Sequence, residues 1–237
     1  MQYLPTSGAA VLHLSKIAIL LQGILAGRIQ FGAVAVLQLS TIAILLLTVP
    51  LAVVITKGYI SSEKRQFLFW SIGLWLFAVG VLLEVLFAFG IYSVALGDIY
   101  LLNVVILVEA LALGSLKLID NRKASAFYAG YIVLTAVALL ASLVHNNIGN
   151  ILVNGVVFGV LPLQVVLIST ISTFPAAIII ITVAAYSYIK SRSYKMLSII
   201  AGVIIVSIAG TLYIVQFPAF LYYSEFFGIL LLWIGFV

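Results

Sequence analysis

The sequence contains no cysteine and very few charged residues. Without cysteine, the chain cannot form disulfides, iron–sulfur clusters or zinc sites with thiolate ligands. Charged residues occupy 7% of the 237 positions, whereas a soluble domain carries about 25%. Hydrophobic residues occupy 65% of the chain, which leaves too little polar surface to face water. The composition therefore predicts an integral membrane protein with lipid as its solvent.

Long apolar runs recur along the whole chain. A membrane-crossing helix needs about 20 mostly apolar residues, and the runs predict an all-α polytopic transmembrane helix bundle of about eight spans. We treat residues 1–237 as a single transmembrane domain. In the seven-span alternative, the first segment, which holds His13 and Lys16, lies along the membrane surface. The predicted spans are 8–27, 33–56, 67–89, 92–116, 126–144, 165–189, 196–216 and 219–237.

The basic residues form three clusters. Nine of the eleven Lys and Arg residues lie within 57–65, 117–123 and 190–195, after predicted spans 2, 4 and 6. The links after spans 3, 5 and 7 hold none. Because basic loops face the cytoplasm, this alternation predicts a cell (plasma) membrane protein with all three clusters on the cytoplasmic side. A nucleic-acid partner would require a continuous basic face, so we expect the lipid bilayer as the partner and no nucleic acid.

One segment is repeated near the N-terminus. Residues 10–21 and 35–46 are identical at ten of twelve positions. This repeat indicates the tandem duplication of a spanning segment. If both copies cross the membrane, they run in opposite directions, as inverted pairs do in transporters. We favour the alternative of a duplication without functional symmetry.

The apolar stretch over 145–189 is too long for one helix. A further crossing within it would move the cluster at 190–195 to the other side of the membrane. We therefore predict that residues 151–163 form an interfacial or re-entrant segment on the outer face. Irregular backbone at membrane depth must be buried in protein or line water, so this segment either packs beneath other helices or lines a pore.

Ionisable residues inside the spans are the first candidates for function, because they are costly to insert. They are Glu84, Asp98, Glu109, Lys16 and Glu225. Asp98 and Glu109 are eleven residues apart, which returns a helix to almost the same face. Glu84 is expected at a depth between them, so the three acids are candidates for a proton relay. We favour structural acids or contacts to a partner subunit instead. Lys16 is a candidate to pair with Glu225 or Glu109, and its predicted depth favours Glu109.

Other motifs favour packing over chemistry. Four glycines match the small-residue pattern of helix contacts: Gly23, Gly27, Gly155 and Gly159. The two histidines, His13 and His145, are predicted near opposite sides of the membrane and cannot share one iron. The absence of lysine from 196–237 excludes a retinal protein. We expect no cofactor and no metal.

Two functions remain after this elimination. The chain has no phosphate-binding loop, zinc-binding helix or nucleophile elbow, so an enzyme is not the favoured interpretation. The first hypothesis is a non-catalytic, accessory or scaffolding subunit of a larger membrane complex, such as a respiratory complex, which contacts other subunits or a second copy. The alternative is a small transporter or channel for protons, ions or a lipid-like substrate that uses intramembrane carboxylates.

Overall fold

The computed structural model describes residues 38–146, 148–153, 156–157, 161–214 and 218–236. These residues form helices and one short β-hairpin. Five helices, α1 to α5, are long and apolar enough to cross a membrane, which confirms a multi-pass helical architecture. The predicted span 8–27 lies outside the described residues. The elements are α1 (Gln38–Ser62), α2 (Arg65–Ala88), α3 (Val94–Leu118), α4 (Arg122–His145), β1 (Leu152–Val153), β2 (Val156–Val157), α5 (Leu163–Ser191), α6 (Tyr194–Ile214) and α7 (Pro218–Phe236).

The end of α1 differs from its predicted position. The apolar run predicts that this span stops at residue 56, yet α1 continues through Lys57 to Ser62. Lys57 is exposed, and a lysine stem can lie along a helix while its ammonium group stays in water. The charge therefore marks the edge of the hydrocarbon and does not end the helix. In the last turn, the Ser62 hydroxyl donates to the Gly58 carbonyl at 2.6 Å.

Short turns make successive helices antiparallel. The loop before α3 contains Gly90, whose φ of 80° is a left-handed conformation that glycine adopts at little cost. Ser93 then caps α3 by accepting a hydrogen bond from the Leu96 amide, and Asn121 caps α4 through the Ala124 amide. This connectivity brings the basic clusters at 57–65, 117–123 and 190–195 to one end of the bundle, which we call the basic end.

Helix α3 is the central element of the bundle. It is the most buried of the five long helices and contacts α2, α4 and α5. Glycines let α2 approach it closely, because Gly73 lies against Leu111 and Gly114 lies against Trp70. Small residues at such contacts allow the backbone packing that drives helix association in lipid. Helix α7 packs beside α6 and also contacts α1, where the Trp233 indole N–H donates to a backbone carbonyl.

The segment predicted to be interfacial or re-entrant contains a hairpin in its described part. Strands β1 and β2 pair antiparallel, with Leu152 opposite Val157 and Val153 opposite Val156. Ile151 and Val157 are fully buried in the apolar cluster of α2, α3, α4 and α5 at the end opposite the basic end. Of the two interpretations, packing beneath the helices agrees with this burial. Because each strand has only two residues, the described part of the chain keeps the predicted all-α architecture.

Helix α5 contains a proline in its interior, Pro175. Proline has no N–H, so the carbonyl four residues earlier, at Ile171, loses its helical hydrogen bond. Tyr131 of α4 replaces that bond, because its hydroxyl donates to the Ile171 carbonyl at 2.6 Å. Membrane helices tolerate proline when a neighbouring helix satisfies the freed carbonyl in this way. The contact thus ties α4 to α5 at the site of the missing bond.

Replacing Tyr131 with phenylalanine is expected to destabilise the fold by roughly 0.6–1.7 kcal/mol, the range for interhelical hydrogen bonds in membranes. In a Pro175→Ala background the Ile171 carbonyl regains a backbone donor, so the same replacement should have almost no effect. Unfolding of the four proteins in mixed detergent micelles measures this coupling. Equal losses of stability in both backgrounds would contradict the proposed role of Tyr131.

Candidate functional site

The described carboxyl groups within the helices are largely buried inside the bundle. Glu84 of α2 is 2% exposed, Glu109 of α3 is 0% exposed and Glu225 of α7 is 7% exposed. Asp98, near the start of α3, is half-buried. Lys16 lies outside the described residues, as do the four glycines of the predicted packing motifs. The three glutamates therefore lie in the interior of the bundle.

Glu84, Tyr100 and Glu225 form a paired-carboxyl cluster. The Tyr100 hydroxyl donates to Glu84 Oε1 at 2.6 Å. The carboxyl groups of Glu84 and Glu225 also lie close enough to each other to interact. The Oε2 atoms of both residues receive no bond from an N–H or hydroxyl donor. The cluster thus joins three helices, α2, α3 and α7, through one tyrosine and two acids.

A carboxylate can only accept hydrogen bonds. A hydrogen bond between Glu84 and Glu225 would therefore require a proton on one of the two groups. Two negative charges side by side in an apolar interior would repel each other strongly. No Lys or Arg of the described residues forms an ion pair with either carboxyl group. Two buried carboxyl groups so close together therefore favour the binding of one proton between them.

The paired-carboxyl cluster lies near the end of the bundle opposite the basic end. Glu84 is four residues from the end of α2, which is about 6 Å along the helix. Phe87, which is fully buried, packs edge-on against Tyr100 with ring centroids 5.8 Å apart. The same apolar cluster includes Ile151 and Val157 from the hairpin segment. Aromatic side chains and the hairpin therefore cover the cluster on this side.

Glu109 belongs to a second polar cluster, between α3 and α4. The Thr135 hydroxyl lies 2.7 Å from Glu109 Oε1 and also within reach of two carbonyls of its own helix. Tyr128 lies close enough to Glu109 to interact with its charge. The Tyr128 hydroxyl and Glu109 Oε2 are both buried and have no hydrogen-bond partner. This second cluster therefore contains buried polar atoms that have no hydrogen-bond partner in an apolar interior.

The two clusters lie on opposite sides of α3. Tyr100, which contacts Glu84, and Glu109 are nine residues apart, which is half a turn around the helix and about 14 Å along it. Among the described residues, no hydrogen bond joins Glu84 to Asp98 or Glu109. Direct hydrogen bonds between these described side chains therefore do not form the candidate relay. Glu84 pairs with Glu225 instead, a contact that the sequence interpretation did not anticipate.

Sequence reasoning missed the hydroxyl and amide groups that accompany the acids. Tyr100, Thr135 and Tyr128 are buried beside them, and Asn103 donates to the Leu76 carbonyl between the two clusters at 2.9 Å. A buried tyrosine or asparagine in a spanning helix signals a polar partner, but its sequence position does not say which. His145 is exposed at the end of α4, and the described part of the chain holds no group of side chains suited to a metal ion.

A comparison with protein-family models, with curated proteins and with solved structures found no match for this chain. The site therefore carries the functional inference.

Proposed function

We propose that this multi-pass membrane protein transports protons, with Glu84 and Glu225 as its proton-binding pair. The close approach of these two buried carboxyl groups carries the proposal, because two adjacent carboxylates in an apolar interior favour the binding of a proton between them. A proton carrier requires a group that binds a proton inside the membrane. Tyr100 holds Glu84 in place through its hydroxyl.

The burial of the acids supports transport over contact with a partner subunit. Acids that bind a partner would lie on the outside of the bundle, where the partner could reach them. Glu84, Glu109 and Glu225 are instead enclosed by helices of the same chain. Ionisable groups inside a membrane are expensive and mark ion or proton pathways by default. We regard the second cluster, around Glu109, as a further proton site in the half of the bundle that is nearer the basic end.

An accessory subunit remains the second candidate. Its support is the wide apolar surface of α4, which is less covered than α2 or α3. The exposed residues on α4 include Phe127, Val133, Leu134, Val137 and Val144. Lipid covers such a surface equally well, so the surface alone does not require a partner. Purification from the native membrane with other subunits still attached would favour this candidate.

Proton uptake into vesicles tests the proposal directly. The protein is reconstituted with a trapped pH-sensitive dye, and a potassium gradient with valinomycin sets the membrane potential. We expect the interior to acidify faster than in vesicles without protein, and the rate to follow the applied potential. Acidification equal to that of protein-free vesicles would contradict proton transport. A monomer that transports protons without co-purifying subunits would exclude the accessory role.

We also propose the eight-span topology, with both termini and the basic end in the cytoplasm. The natural absence of cysteine allows single thiols to be introduced for labelling in sealed cells. Thiols at Lys64, Arg122 and Arg192 are expected to react from the cytoplasmic side only, and one at Ile91 from the outside only. Labelling of positions 64 and 122 from opposite sides would contradict this orientation.

A further inference from the structure

We propose that a pocket at the basic end binds the phosphate headgroup of an anionic phospholipid. The pocket encloses about 540 Å³ and lies where α1, α2 and α3 reach the end of the bundle. It is separate from both carboxyl clusters, and it stands whether or not the protein transports protons. Its lining residues are Tyr59, Ile60, Glu63, Arg65, Leu68, Phe69 and Lys117.

The position of the pocket matches the headgroup layer of a bilayer. Helix α2 has 24 residues and is about 36 Å long, slightly longer than the hydrocarbon core of about 30 Å. Arg65 is its first residue, and Lys117 is the residue before the last of α3. Both cations therefore lie beyond the hydrocarbon, at the depth of lipid phosphates. Basic pockets between membrane helices are typical sites for anionic headgroups.

The charges in the pocket favour a ligand with one negative charge. Arg65 and Lys117 form no ion pair among the described residues, so both cations are available to an anion. Arginine can bind a phosphate through two parallel N–H groups, and lysine adds a compact positive charge. Glu63 also lines the pocket and leaves it a net charge of +1. A phosphodiester lipid with a single net charge neutralises the site, whereas a zwitterionic lipid does not.

The apolar half of the lining distinguishes a lipid from free phosphate. Leu68 and Phe69 are half-buried on the first turn of α2, and Ile60 of α1 is 71% exposed. A free phosphate ion would contact only the cations and the Tyr59 hydroxyl. A lipid would also cover these apolar side chains with the start of its acyl chains, which stabilises binding in proportion to the area covered. The pocket therefore fits an amphiphilic anion.

Binding of a short-chain phosphatidylglycerol to the full-length protein in detergent micelles tests this site. Juxtamembrane cations contribute about 1 kcal/mol each toward an anionic lipid, which corresponds to about fivefold in affinity. We expect Arg65→Gln and Lys117→Gln each to weaken binding by about fivefold, and Glu63→Gln to strengthen it by a similar factor. Lys57→Gln is the matched control, because Lys57 belongs to the same basic cluster but does not line the pocket. It should leave the affinity unchanged.

Three results would overturn the proposal. Equal losses from Lys57→Gln and Lys117→Gln would indicate attraction to the whole basic surface. Equal affinity for phosphatidylcholine of the same chain length would show that the charge of the headgroup is irrelevant. Displacement of the lipid by millimolar inorganic phosphate would identify a free-phosphate site instead. Unfolding curves that match the wild type confirm that the variants are folded, and Glu63→Gln, which should bind more tightly, supports the proposal even if a cation variant is unstable.

Discussion

Replacing either Glu84 or Glu225 with glutamine is expected to reduce potential-driven proton uptake to the level of vesicles without protein. Glutamine has nearly the same size as glutamate and can still donate and accept hydrogen bonds, so the contact between α2 and α7 should persist. It cannot bind and release a proton at neutral pH. The loss of transport therefore reports the missing proton rather than a missing contact. Uptake is measured with the trapped dye at equal amounts of reconstituted protein.

The double variant tests whether the two acids act together. The proposal is that the two carboxyl groups share one proton and act as a unit, so Glu84→Gln combined with Glu225→Gln should lose no more than either single change. Asp120→Asn is the control, since Asp120 lies outside the spans in the turn after α3. Its φ of 55° is a left-handed conformation that asparagine adopts readily, so this variant should transport normally. Normal transport by both single variants would show that the pair is structural only.

Adding one methyl group at Gly114 is expected to destabilise the protein by roughly 2–3 kcal/mol, and at Gly73 by roughly 1–2 kcal/mol, as overpacking does elsewhere. A Cβ at Gly114 would meet the Trp70 ring and, at 3.1 Å, the Gln66 carbonyl. Trp70 is held in place by its ring contact with Phe236, at 4.9 Å between centroids, so it cannot move away easily. A Cβ at Gly73 would meet the Leu111 side chain at 2.7 Å, which can rotate more cheaply, and the Leu107 carbonyl at 3.2 Å.

Gly130→Ala provides the matched control for these two variants. A Cβ at Gly130 meets nothing within 4 Å, and alanine favours a helix over glycine by up to about 1 kcal/mol. The same chemical change should therefore be neutral or stabilising on α4 and destabilising on α2 or α3. Unfolding in mixed micelles compares the three proteins. Equal stability of Gly114→Ala and Gly130→Ala would contradict the close packing of α2 on α3.

The positions of the helices could be predicted well from the sequence. Within the described residues, α2 to α7 begin and end within four residues of the predicted spans. The reason is that lipid cannot satisfy an exposed backbone, so a long apolar run has almost no alternative to a helix. The link between α4 and α5, which contains residues 151–163, was harder to assign, because a short apolar run fits a buried strand or part of a helix equally well. Charge alternation nevertheless indicated that this link does not cross.

The candidate site could be predicted only in part. Glu84, Glu109 and Glu225 were identified because an acid stands out in an apolar run. Their partners were not, since Glu225 comes from the last helix and Thr135 from a helix whose rotation no sequence pattern specifies. The candidate grouping of Glu84 with Asp98 and Glu109 assumed that one face of α3 meets α2. Glu84 instead meets the opposite face of α3, through Tyr100.

The sequence by itself determined that this chain spans a membrane as helices, where each described helix lies along the chain, and which end of the bundle is basic. Only the tertiary structure decided which acids meet, that Tyr131 satisfies the carbonyl freed by Pro175, and that three helix ends enclose a basic pocket. The physical reason is that hydropathy reports the solvent around a helix. These helices are apolar on all sides, so their neighbours and rotations follow from close packing and hydrogen bonds, which depend on residues far apart in the chain.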